Sequence, residues 1–257
     1  MELSSAEIAA WVGSFMWPFI RIGAMFMAMP VIGTQNVPVR VRLAITLAVT
    51  VVIAPQLSDL PIIDPFSLNS WLLIIQQVLI GVAMGFALQL VFSAVITGGQ
   101  IIALQMGLGF ASMVDPSSGL QVPMVSQLYL LAVILIFLAF NGHLVLIEIL
   151  GQSFETLPIG SVGIARDSIW QLVSWGSDMF AGAVLIALPT VGALLVVNIS
   201  FGVMTRASPQ LNIFAVGFAI MLGVGFAVII FTLPSLVNQT SKLLENSYGL
   251  IRALIGG

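Results

Sequence analysis

Six apolar runs account for most of this chain, at residues 8–29, 43–53, 71–96, 128–150, 179–204 and 211–236. A hydrocarbon layer ~30 Å thick takes about 20 helical residues to cross. Inside that layer only helices and closed barrels satisfy every backbone N–H and C=O. The runs therefore predict an all-α membrane protein of about six hydrophobic helices, packed as one bundle. Composition points the same way: 60% of residues are hydrophobic, 7% are charged and the mean hydropathy is +1.16, where an ordinary soluble domain carries about 25% charged residues.

The same composition removes several classes of function. A net charge of -3, from 7 basic and 10 acidic residues scattered singly, offers no patch for nucleic acid and no polybasic anchor for anionic lipid. With no cysteine and one histidine, His143, the chain has neither a thiolate nor a multi-histidine metal site. No metal and no cofactor is expected. The opening MELSSAEIAAW puts acids where a secretory leader carries Lys or Arg, so the first run is expected to stay in the mature protein.

Taken in order, the first run contains Trp17-Pro18, a kink signal, and Arg21 one turn further on. An arginine at membrane depth costs at least roughly 3 kcal/mol, so Arg21 either meets a partner or wet cavity or snorkels to an interface. Gly33 and Pro38 mark a turn, and Arg40 and Arg42 just after it form the densest positive spot. The second run is short for a span and stops at Pro55. The third holds Gly81 and Gly85 one turn apart with Ala83 and Ala87 between and beyond them, a spacing that permits close helix packing. The fourth is interrupted at Asn141-Gly142-His143, where a single histidine reads as a hydrogen-bonded core residue rather than a proton relay.

Residues 151–178 are polar and mixed, with Arg166, Asp167, Trp170 and Trp175, and read as a connector carrying an interfacial amphipathic helix. They divide the runs into four and then two. Pro189 and Asn198 notch the fifth run, and the short link TRASPQLN makes the last two helices an antiparallel hairpin. The sixth run is expected to end at Pro234. Beyond it Lys242, Glu245 and Arg252 among Leu243, Leu244, Leu250 and Ile251 read as a separate amphipathic tail for a partner or a membrane surface. In a plain six-span arrangement Arg40, Arg42 and Arg206 fall on one side and Arg166, Lys242 and Arg252 on the other, so positive charge gives no orientation. Hairpins that do not each cross the bilayer would explain that balance.

Between the third and fourth runs lies residues 98–123, GGQIIALQMGLGFASMVDPSSGLQVP. Gly98, Gly99, Gly107, Gly109 and Gly119 permit unusual backbone angles, and Asp115-Pro116 with Ser117, Ser118 and Gly119 is turn chemistry. Ile101, Leu104, Met106, Leu108, Phe110, Met113 and Val114 nevertheless make it too apolar for a water-exposed loop, and Asp115 is its one formal charge. Irregular backbone at membrane depth is tolerated where protein or a cavity surrounds it. A segment of this kind reads as a plug, soft through its methionines and foldable through its glycines. The bland alternative is a re-entrant packing element.

Three motifs carry a resemblance: QNVPVRVRLA, with Asn36, Pro38, Arg40 and Arg42; GFASMVDPSSG, starting at Gly109; and PQLNIFAVGF, with Pro209, Gln210, Leu211, Asn212, Phe214 and Gly217. In this order and spacing, over nearly the whole chain, they resemble the FliR/SctT family of flagellar and type III secretion export-gate subunits. One departure is Ala219, where relatives often have proline after the Gly-Phe pair. A changed kink in the sixth helix is expected there.

The resemblance implies bent helical hairpins, with a FliP-like portion at 1–177 that includes the pore loop at 98–123. A FliQ-like hairpin and amphipathic tail would follow at 178–257. It implies assembly with FliP and FliQ into a gate in the bacterial inner membrane, at the flagellar basal body and raised toward the periplasmic side. FlhB would be a further partner, unfolded flagellar proteins the cargo and membrane lipid the surroundings. The family's plug falls on Met106, Gly107, Leu108, Gly109, Phe110, Ala111, Ser112, Met113, Val114, Asp115 and Pro116. No enzyme activity is expected: H-E-x-x-H and G-x-S-x-G are both missing from the sequence. A small-solute secondary transporter is the alternative, but it would show matched interruptions in two similar halves, and here the runs divide four to two.

Overall fold

The computed structural model describes residues 5–57, 67–108, 124–160, 163–207 and 213–256. Those residues form α1 (Ser5–Ala28), α2 (Val39–Ile53) with a 3-10 turn at Ala54–Gln56, α3 (Leu68–Gln105), α4 (Met124–Ala139), α5 (Gly142–Thr156), α6 (Arg166–Ala207) and α7 (Ile213–Gly256). No strand occurs among them. Four stretches are long and apolar enough to cross a membrane, Val39–Gln56, Leu68–Gln105, Arg166–Met204 and Gly217–Gly256, and the bent pair α4–α5 would make a fifth. The chain is a membrane protein.

The interruption at Asn141 is the 63° bend between α4 and α5. Asn141 takes φ 54, a left-handed conformation that asparagine tolerates and β-branched residues do not. Six runs thus become seven helices among the described residues.

Several boundaries differ from the sequence reading. Residues 98–105 are not loop but the last turns of α3. Among the described residues the connector at 151–178 holds no separate amphipathic helix; its start belongs to α5 and its end, from Arg166, is the beginning of α6. Nor does the sixth run stop at Pro234, because α7 continues through it to Gly256 and absorbs the expected tail. Pro18 and Pro189 likewise lie inside α1 and α6. The common cause is physical. A proline removes one N–H, whereas ending the helix in an apolar medium would strand several backbone groups. The change from apolar to charged residues at either end alters the surroundings a helix suits without breaking it.

The described residues divide into two compact units, each contributed to by α3, α6 and α7. The first comprises residues 1–90, 141–176 and 244–257. Its seam is α1 against α3. A Cβ on Gly81 would meet the Arg21 carbonyl oxygen and, at 2.9 Å, Ala24; one on Gly85 would meet the Met25 carbonyl oxygen at 2.7 Å and Ala28 at 2.8 Å. One turn along α3 matches one turn along α1, so the two helices run parallel, in contact through backbone. Trp17, Ile22, Met25 and Phe26 of α1 and Ile80, Met84 and Leu88 of α3 fill the core there. The end of α7 closes on the same helix, with Ser247 Oγ donating to the Ala87 carbonyl at 3.1 Å.

The second unit comprises residues 91–140 and 177–243. Phe92 of α3 meets Phe137 of α4 edge-on at 5.8 Å. Gly98 and Gly99, adjacent on α3, receive two different neighbours, Ala183 and Ile186 of α6 on one side and Ser126 and Tyr129 of α4 on the other, at 2.9 to 3.3 Å from a notional Cβ. Gly182 abuts Leu243, and Thr190 Oγ1 lies 3.2 Å from Thr232 Oγ1, so α6 and α7 run antiparallel.

Candidate functional site

The described part of the expected plug is its root. At the end of α3 the Leu108 N–H donates to the Ala103 carbonyl and the Gly107 N–H to the Leu104 carbonyl, both at 3.0 Å. That pair of bonds is the Schellman motif, which requires a left-handed residue where Gly107 stands with φ 83. Met106 is fully packed, and a Cβ on Gly225 of α7 would come within 2.6 to 2.9 Å of its side chain. Phe218 of α7 lies 3.4 Å from where a Cβ on Gly107 would be. Met106, Gly107 and Leu108 are therefore held by a capped helix end and by α7. The rest of the expected plug, from Gly109 through Phe110, Ala111, Ser112, Met113, Val114 and Asp115 to Pro116, lies outside the described residues. The chain returns at Met124, which is exposed.

A second centre surrounds Arg21 in the first unit. Its side chain is 0% exposed. Nε donates to Gln77 Oε1 at 2.7 Å, one terminal nitrogen donates to the Ser153 carbonyl at 2.7 Å and to Ser153 Oγ at 3.1 Å, and the other donates to the Leu157 carbonyl at 2.9 Å. The guanidinium also lies 4.3 Å from the centre of the Phe154 ring. Ser153 and Leu157 carry carbonyls of the last turn of α5, the negative end of its dipole. The arginine thus joins α1, α3 and α5 through neutral partners.

Arg42 is the third feature. It donates to the carbonyls of Ile32 at 3.1 Å, Thr34 at 2.9 Å and Val37 at 3.3 Å, closing the turn between α1 and α2. Gly33 in that turn has no room for a Cβ beside the carbonyls of Met27 and Met29, and Val31 takes φ 74. Pro38 precedes α2 in extended backbone, while Asn36 and Arg40 are exposed. Phe214 and Gly217 fall in the first turns of α7; Pro209, Gln210, Leu211 and Asn212 lie outside the described residues.

Sequence reasoning did not find the partners of Arg21. Gln77 was detectable as a polar residue within a long apolar run, but Ser153 and the Leu157 carbonyl, more than 130 positions away, gave no sign. Nor was the fit of Met106 to Gly225 visible, because that glycine sits in a run rich in glycine. Among the described residues no group of His, Asp or Glu could hold a metal ion.

Comparison with known proteins places residues 12–247 in the family described as bacterial export proteins, family 1. The flagellar biosynthetic protein FliR of Escherichia coli (strain K12) is 37% identical over 257 residues, covering 99% of this chain and 97% of that protein. FliR of Pectobacterium carotovorum subsp. carotovorum is 36% identical with the same coverage. FliR of Bacillus subtilis (strain 168) is 28% identical over 251 residues, covering 95% and 96%.

Proposed function

The chain belongs to the bacterial export proteins, family 1, with the flagellar FliR proteins and as a non-enzymatic export component, and from that membership we propose that it is a structural and gating subunit of the flagellar type III export gate. In this reading it forms, with FliP and FliQ, the conduit for unfolded flagellar proteins, and FlhB acts on the assembled gate. The segment from Met106 to Pro116 closes the conduit.

One observation carries the gating role: the segment starts from a fixed point and continues as soft, glycine-rich sequence. Gly107 caps α3 and Met106 is buried against Gly225, so the root is rigid. Phe110 and Met113, set among glycines and serines, supply an adaptable apolar stretch beyond it. A closure that must open for polypeptides of any sequence needs both properties.

Helix length supports an assembly standing partly out of the bilayer. At 1.5 Å per residue α3, α6 and α7 extend about 57, 63 and 66 Å, twice the ~30 Å core, and tilt within the usual 0–40° range does not absorb the excess. The inner membrane at the flagellar basal body, with the gate raised toward the periplasm, is the location that fits. The antiparallel α6 and α7 fit a FliQ-like hairpin at 178–257 following a FliP-like portion at 1–177.

Copurification tests the reading. Tagged chain expressed with FliP and FliQ is expected to elute as one complex and to be unstable alone. A chain that is monodisperse by itself, as a monomer or symmetric oligomer indifferent to both partners, would overturn it.

A further inference from the structure

The Arg21 centre has more hydrogen-bond donors than acceptors. The guanidinium uses four of its five N–H groups, all on neutral partners. Its bond to Gln77 fixes that amide, since only the oxygen can accept from Nε, and the other corner must therefore be the NH2 group. Gln77 is 0% exposed, and its Nε2 has no acceptor among the described residues. One turn from Arg21 on the same face of α1, the buried Trp17 Nε1 is a further donor without an acceptor. Of the nearby carbonyls, Ser153 O already accepts from Arg21 and from the Leu157 N–H, and Leu157 O accepts from Arg21.

We infer that the corner formed by Arg21 and Gln77 is a binding site for a small monatomic anion, chloride under ordinary conditions. A buried cation facing neutral acceptors still carries its full charge, and an anion beside it offsets the desolvation that those acceptors leave uncompensated. A water could also satisfy the donors, through the second lone pair of the Leu157 carbonyl, but it would leave the charge uncompensated, and the halide dependence below separates the two. The ion would neutralise the seam of α1, α3 and α5 where the sequence is otherwise apolar.

The test is thermal unfolding of the full chain, copurified in detergent with FliP and FliQ, in 100 mM sodium chloride and in sodium gluconate of equal ionic strength. At that concentration gluconate is expected to lower Tm by roughly 5–10 °C, the size of effect that binding with a Kd of about 1 mM gives a chain this long, and bromide to restore it. Gln77→Glu supplies an internal carboxylate to Arg21 and is expected to unfold at one temperature in all three salts. Should that variant give no clear transition, Gln77→Met decides: it is expected to have a lower Tm that no longer responds to halide. Equal wild-type Tm in chloride and gluconate would overturn the inference, as would a halide response in Gln77→Glu or Gln77→Met as large as in the wild type.

Discussion

Arg21 holds three helices by bonds that no other side chain reproduces in this position. Its planar fork reaches Gln77, Ser153 and the Leu157 carbonyl at once, whereas lysine offers three donors from one point. Arg21→Ala would leave the Leu157 carbonyl and Gln77 Oε1 buried without a donor, at about 1–3 kcal/mol each. The chain is therefore expected to lose about 3 kcal/mol of stability on Arg21→Ala and less on Arg21→Lys, read as the shift in unfolding midpoint and as the yield of assembled complex. Equal and negligible losses would mean that the arginine does not hold the helices together. Sequence limited the residue to two options, a partner or an interface, because an arginine in an apolar run has only those. The carbonyls that receive it belong to the end of α5, and nothing in residue type shows which side chain a backbone carbonyl will receive.

At the scale of the elements, the legible features were those in which one residue type is required locally. Asn141 marks the bend between α4 and α5 by its left-handed backbone, whereas the sequence reading ended the third run at residue 96 and did not find Gly107 as the cap of α3. Gly33 marks the turn after α1 because the carbonyls of Met27 and Met29 exclude a Cβ. What misled was polarity. Arg166 and Asp167 looked like a connector and Lys242 and Glu245 like a tail, yet both pairs lie on helices that run on into apolar sequence. A charge changes which surroundings a helix prefers and does not interrupt its hydrogen bonds. Spacing also names no partner for Gly81 and Gly85; α1 takes that place. With Met25 and Ala28 atoms 2.7 and 2.8 Å from a notional Cβ on Gly85, Gly85→Leu should push α1 away from α3 at a cost of about 1–3 kcal/mol. Native gels are expected to show reduced complex, and an unchanged yield would refute the close-packing argument.

For the whole molecule, we propose that a helical frame carries a movable closure. α3 has the most buried of the four spanning windows, and Met106 just beyond its end is packed against α7. α2 and α7 are different, because their spanning windows are only 17% and 22% buried in this chain, which leaves broad apolar surfaces for lipid or, in the proposed gate, for neighbouring subunits. If the segment from Met106 to Pro116 were simply packing, shortening it would weaken the frame and lower assembly. A closure can be removed while the frame stays whole. Ion conductance of the assembled gate in planar bilayers, with residues 109–113 deleted, separates these outcomes most directly. The account predicts an intact complex that passes ions where the parent is tight, with Phe110→Ala leaking in the same sense but less. An intact deletion complex as tight as the parent would contradict it, and would assign closure to other elements of the gate.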